Sequence, residues 1–152
     1  MVSATGSSQR LHMPALILPC PACRTSNRLP SERLGDRPVC ASCKAPLLGA
    51  VVPLGDTDFD RVVAAVNVPI VVDFWAGWCG PCRAMAPQFA AAAAEPPGRF
   101  CFAKVDTDAA PRTAARFAIQ SIPTLVLLDG GRELRRSSGA MSKAQLLAWL
   151  GQ

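Results

Sequence analysis

The sequence predicts an α/β fold, a central mixed β-sheet with helices on both faces, preceded by a small cysteine-rich module. Two observations carry this. From Val51 onward, strand-like apolar runs alternate with segments of helical periodicity in the order β-α-β-α-β-α-β-β-α. Before it, residues 14–49 are dominated by Cys, Pro, Arg and turn formers, with too little apolar material for a conventional core. The expected organisation is a flexible tail over residues 1–13, a module over 14–49 and a larger domain over 50–152. Either Met1 or Met13 is compatible with a natural start.

Within the larger domain, Asp56 or Thr57 reads as the cap of a first helix whose apolar face is Phe59, Val62, Val63 and Val66. Val68 to Trp75 is near-continuously apolar and suits a central strand. Cys79 to about Ala94 is helical, with Pro87 expected to kink it and Pro96-Pro97-Gly98 to stop it. Phe100–Val105 is a second central strand, Asp108–Phe117 a short helix and Thr124–Leu128 a third strand. Asp129-Gly130-Gly131 turns the chain into Glu133–Arg136, and Ser142 caps a last helix that turns Leu146, Leu147 and Leu150 inward.

The 152 residues are half hydrophobic and contain no run long enough to span a membrane. The apolar piece Pro14–Leu18 is too short for the core of an export signal. A soluble cytoplasmic protein is expected, and seven cysteines there argue for metal and redox chemistry over structural disulfides. Of the net charge of +5, most falls in residues 1–50, where Arg10, Arg24, Arg28, Arg33, Arg37 and Lys44 face only Glu32 and Asp36. Without interleaved aromatics, this pattern is read as compensating bound thiolates and not as a nucleic-acid surface.

Two cysteine patterns carry chemistry. Trp78-Cys79-Gly80-Pro81-Cys82 stands where a strand turns into a helix. Cys79, at the first turn, meets free backbone amides and the positive end of the helix dipole, which favour a thiolate. Cys82, three positions on, lies on the same face and one turn deeper. Cys79 is therefore the expected attacking thiol and Cys82 the resolving one. Gly80 permits close approach of a client and Pro81 stiffens the ring. Zinc ligation by this pair is the alternative.

Asp73, six residues before Cys79 in the apolar strand, is costly to bury and is expected to titrate high, as a proton acceptor for Cys82 or as a satisfied core ion pair. Lys104 is its candidate partner. A cis peptide is predicted before Pro123, which would set the Ile122 backbone against Cys79.

The second pattern is Cys20-Pro21-Ala22-Cys23 and Cys40-Ala41-Ser42-Cys43, two knuckles sixteen residues apart, within zinc-ribbon spacing. His12 is the only histidine, so an all-sulfur site for one structural Zn²⁺ is expected, and metal binding would supply most of the segment's folding free energy. Extra redox pairs are the alternative. Cys101 is left over and reads as an inert core thiol.

The run Phe74-Trp75-Ala76-Gly77-Trp78-Cys79-Gly80-Pro81-Cys82-Arg83, with Pro87, Lys104-Val105-Asp106, Ile122-Pro123-Thr124 and Gly139, is similar to thioredoxins over roughly residues 52–152. With the knuckles, the chain resembles the zinc-extended bacterial members, the thioredoxin 2 type. The resemblance implies a protein-disulfide reductase with Cys79 as nucleophile, Cys82 as resolving thiol, Asp73 as buried acid/base coupled to Lys104, and Pro123 as the cis-proline. It places Trp78, Ile122 and Gly139 on the client-docking surface. Electrons would come from NADPH through thioredoxin reductase, with no organic cofactor bound.

Gly77, Arg83 and the Leu128-Asp129 hairpin entry depart from common family residues. The alternative function is a zinc-dependent interaction or redox-sensing module using the larger domain as a platform. For the module itself, client choice, tuning of the potential and zinc release under oxidative stress are all compatible roles. The chain is expected to be a monomer without nucleic-acid or membrane partners.

Overall fold

The structure, a computed structural model, describes residues 15–95 and 99–151. The tail over residues 1–13, His12 and the Pro96–Gly98 stop therefore lie outside the described residues. Two short strands come first, β1 (Leu16–Pro19) and β2 (Ser26–Leu29), paired antiparallel, followed by a 3₁₀ helix at Ser31–Asp36. The remaining elements are β3 (Val52–Leu54), α1 (Phe59–Ala65), β4 (Ile70–Trp75), α2 (Gly80–Ala93), β5 (Cys101–Asp106), α3 (Pro111–Arg116), β6 (Thr124–Asp129), β7 (Arg132–Ser138) and α4 (Lys143–Trp149). Their order is the predicted one.

The five-stranded sheet runs β3-β5-β4-β6-β7. β3, β5 and β4 are parallel, and β6 and β7 return antiparallel, so the sheet is mixed. β4 is hydrogen-bonded on both sides and buried on both faces, which explains why all its residues except Asp73 are apolar. Alternation divides them. Ile70, Val72 and Phe74 enter one core with Phe59, Val62 and Val63 of α1, whereas Val71 enters another with Met85 and Phe89 of α2 and Leu146 of α4.

Several boundaries differ from the sequence reading. α3 starts at Pro111, not Asp108, because Asp106 Oδ1 accepts from the amides of Asp108 (2.9 Å) and Ala109 (3.3 Å) and holds that stretch as a turn. Asp56 does not cap α1. Its carboxylate accepts from Arg112 N, Thr113 N and Thr113 Oγ1, so it caps α3 instead. The N-cap position of α1 is Asp58, whose Oδ1 accepts from Gly55 N at 2.7 Å. α2 continues as one helix across Pro87. Ser142 caps α4 as expected, completing a capping box with Gln145.

The cysteine-rich module is not energetically separate. Leu18 and Leu29, 4% and 5% exposed, belong to the same buried cluster as Leu54, Phe59 and Val105. Asn67 clasps β1 by accepting from Ile17 N and donating to Ala15 O, both at 2.8 Å. Arg24 pairs with Asp58 at 3.5 Å. The expectation that metal binding supplies most of the module's folding free energy thus omits an apolar contribution. Leu29→Ala is expected to lower the stability of the whole chain by about 2–5 kcal/mol, read by urea unfolding with zinc present.

Candidate active site and metal centre

β4 ends at Trp75, and the chain crosses a short loop to α2. Cys79 is the N-cap of α2, Gly80 and Pro81 open the helix, and Pro81 occupies a first-turn position where a missing N–H costs little. Cys79 and Cys82 are joined as a disulfide with Cα atoms 5.2 Å apart. Cys82 N donates to Cys79 Sγ at 3.2 Å, aiming an orphan helix amide at the sulfur. Cys79 is 5% exposed and Cys82 2%, so the outer sulfur is reached along one edge only.

That edge is built from separate segments. The Ile122–Pro123 peptide is cis, as predicted, and Ile122 O lies 3.7 Å from Cys79 Sγ. Gly139, at φ +102°, donates its N–H to Pro123 O at 2.8 Å, and a residue with a Cβ would be strained at that φ. Trp78 is 69% exposed and held by its Nε1 donating to Asp108 Oδ2 at 2.9 Å. Trp78, Ile119 and Ile122 line a groove of about 330 Å³. The sequence reading missed Asp108 as the anchor of Trp78. Of the departures noted above, Gly77 faces open space, and Arg83 donates to Gly77 O at 3.2 Å, tying the loop to α2.

Asp73 faces the α2 side of the sheet. It is 4% exposed, and its Oδ1 is buried without a hydrogen-bond partner among the described residues. Lys104 is its register partner on β5, but none of the ion pairs among the described residues involves Asp73. The Lys104 ammonium lies instead over the Trp75 ring, 5.5 Å from its centroid. Burial pushes the Asp73 carboxyl up to about 7, against the opposing pull of the Lys104 charge. Asp73 and Cys82 line a single cavity of about 570 Å³. Cys101 lies in the other core, 6% exposed, and burial pushes its thiol up to about 12, in keeping with an inert group.

At the other end, Cys20, Cys23, Cys40 and Cys43 converge with all four sulfurs within 4.8 Å of one another. The two knuckles repeat one geometry. Arg24 and Lys44, each following the second cysteine, adopt left-handed φ of 63° and 68°. Their amides donate to Cys20 O (2.8 Å) and Cys40 O (3.0 Å). Ala22 N and Cys23 N donate to Cys20 Sγ, and Ser42 N to Cys40 Sγ, at 3.3–3.4 Å. Cys20 Sγ and Cys40 Sγ thus each accept backbone amide hydrogens, and four cysteine sulfurs gathered this closely suit tetrahedral Zn²⁺.

Asn27, unnoticed in the sequence, is 7% exposed and links the knuckles. Its Nδ2 donates to Thr25 O at 3.0 Å and Cys40 Sγ at 3.5 Å, while its Oδ1 accepts from Ala41 N at 2.9 Å. A polar residue in a short strand carries no sequence signal for such a bridge.

Two family comparisons match, and together they cover most of the chain. The family described as "Thioredoxin" matches residues 50–152, and the one described as "Thioredoxin 2, N-terminal", a zinc ribbon, matches residues 19–45. Among curated relatives, thioredoxin C-3 of Corynebacterium nephridii is 41% identical over 138 residues, covering 90% of this chain and 94% of the relative. A thioredoxin of Haemophilus influenzae is 38% identical over 105 residues, 69% of this chain and 98% of its own length. A bifunctional thioredoxin reductase/thioredoxin of Mycobacterium leprae is 41% identical over 99 residues, 65% of this chain and 22% of its own length. Among the described residues, no helix is long and apolar enough to cross a membrane.

Two outcomes are expected. Ionised Asp73 opposes folding, because its folded pKa is raised. The contribution of Asp73 to stability is therefore fully present below the ordinary carboxylate range near pH 4 and is lost as pH rises toward about 7. Asp73→Asn should match the parent chain below about pH 4 and exceed its stability by up to about 4 kcal/mol above pH 7, read by urea unfolding at both pH values. Cys40→Ser should abolish stoichiometric zinc in the purified protein, measured by elemental analysis, while leaving the Cys79–Cys82 disulfide reducible.

Proposed function

This chain belongs to the thioredoxin family, with the thioredoxin 2 zinc ribbon ahead of the domain, and is a thiol–disulfide oxidoreductase of the protein-disulfide reductase class; from that premise we propose that it reduces disulfides in client proteins with Cys79 as nucleophile and Cys82 as resolving thiol. The observation that carries this reading is Cys79 at the N-cap of α2, bonded to Cys82 and bordered by the carbonyl of Ile122 before cis-Pro123.

In the reduced form, the Cys79 thiolate attacks one sulfur of a client disulfide. The client S–S bond breaks, a Cys79–client disulfide forms, and the departing client thiolate takes a proton from solvent. The Asp73 carboxylate then accepts the Cys82 proton through the cavity that both residues line. The Cys82 thiolate attacks Cys79 Sγ, the Cys79–client bond breaks, and the second client sulfur leaves as a thiolate and is protonated. The client gains two electrons, and the enzyme is left as the Cys79–Cys82 disulfide. Lys104 biases Asp73 toward the ionised state. Trp78, Gly80, Pro81, Ile122 and Gly139 form the client-docking edge, where the backbone beside Pro123 offers hydrogen bonds to an extended chain.

Cys20, Cys23, Cys40 and Cys43 would hold Zn²⁺, which when bound fixes the ribbon's fold and supplies no redox chemistry of its own. Its role is modulatory. Electrons return from NADPH through a thioredoxin reductase, a pairing supported by the Mycobacterium leprae relative, whose name joins both activities. The setting is the cytoplasm, where free thiols of this kind persist, and the working unit is a monomer.

Insulin reduction with NADPH and thioredoxin reductase tests the reading. Cys79→Ser is expected to be inactive, and Cys82→Ser to accumulate a mixed disulfide visible by non-reducing electrophoresis; full turnover by Cys79→Ser would end the proposal. Asp73→Asn should slow resolution on the order of 10²-fold at neutral pH. In the parent chain the resolution rate should rise through about pH 7 as Asp73 loses its proton.

A further inference from the structure

The cavity shared by Asp73 and Cys82 has walls from two sources. α2 contributes Ala86, Pro87 and Ala90, and the opposite wall is Gly49, Ala50 and Val51, the segment that leaves the zinc ribbon and enters β3. This segment is anchored at both ends. Leu47 packs directly with Cys20 and Cys40, and Leu48 packs against that cluster as well as the α1-side core. Gly49, at φ +85°, turns the chain beside the end of α2, where an added Cβ would stand 4.0 Å from Ala94 Cα. Val51 packs into the α2-side core. The exposed pair Gly49–Ala50 is thus held between packed neighbours, Leu47 and Leu48 beside Cys20 and Cys40 on one side and Val51 in the α2-side core on the other.

Two buried polar atoms on the cavity's residues, Asp73 Oδ1 and Trp75 Nε1, have no hydrogen-bond partner among the described residues. Buried polar groups left this way are ordinarily met by water. The groups that face Asp73 are few. Lys104 comes from β5, Cys82 and Arg83 come from α2, the β6 register partner is Leu125, and the linker contributes no charge. With no titratable group on the linker, its effect on Asp73 is through access of solvent.

We propose that Gly49–Ala50–Val51 is a positioning element of the exchange reaction: it forms the outer wall of the passage through which Asp73 trades its proton with solvent, and the metal-bound ribbon holds that wall in place. The proposal rests on Asp73 acting as acid/base for Cys82. It gives the ribbon a task at the active site without contact between zinc and the reacting sulfurs.

The test is a carboxyl-carbon NMR titration of Asp73 in the full-length protein, run on the zinc-loaded parent, zinc-loaded Ala50→Trp and the parent stripped of zinc by a chelator. Ala50 is exposed, so a larger side chain there narrows the mouth without entering the core. Ala50→Trp, with zinc content unchanged, should raise the midpoint by about 0.5 pH units or more. Stripping zinc should lower it by a similar amount as the wall loosens and water reaches the carboxyl. Ala50→Leu, expected to shift the midpoint in the same direction by less, replaces Ala50→Trp if that variant fails to fold. Unchanged midpoints in the variant and in the stripped protein, with the linker amides visibly perturbed, would overturn the proposal. Insulin reduction by Asp73→Asn at the parental rate would instead remove the acid/base role, while the titration would still report on the wall.

Discussion

The double pairing of β4 is the constraint from which the rest of the molecule follows. A strand bonded on both edges cannot shift register without breaking two ladders, so every residue it carries is fixed in depth and direction. Phe74 is held in one core, Asp73 on the opposite face, and the exit at Trp75 sets where α2 begins. The sulfur pair inherits its position from that exit. The β6 strand, paired to the other edge, brings Pro123 to the same end of the sheet, and a segment distant in sequence thereby meets Cys79.

The same constraint produces the electrostatics. Asp73 sits where an apolar residue would cost less, with a carboxyl oxygen that no donor among the described residues reaches. The Lys104 ammonium, its partner across the sheet, lies over the Trp75 ring. The carboxyl therefore titrates close to neutrality, where a proton acceptor can also give its proton back.

The elements that make up the sheet were legible because their cause is local. The apolar run Ile70–Phe74, interrupted only by Asp73, the Cys-x-x-Cys spacings and the Ser142 cap each signal through neighbours in sequence. Errors arose where a side chain works at long range. Asp56 looks like a cap for the helix that follows it, yet its partners are Arg112 and Thr113. Asn27 shows nothing in sequence of its contacts with Cys40 and Ala41. The ribbon's own residues hold too little apolar material for a core of their own; Leu18 and Leu29 instead complete a cluster most of whose members lie beyond residue 50. The Asp73 cavity was likewise invisible, since it exists only between elements.

That common cluster bears on how such a two-part chain is dissected. Cleaving before β3 to study the larger part would strip Leu18 and Leu29 from around Leu54 and Phe59, uncovering greasy surface beside an edge strand. The fragment would be a different, stickier molecule, and its behaviour would confound loss of the metal with the scar left by the cut.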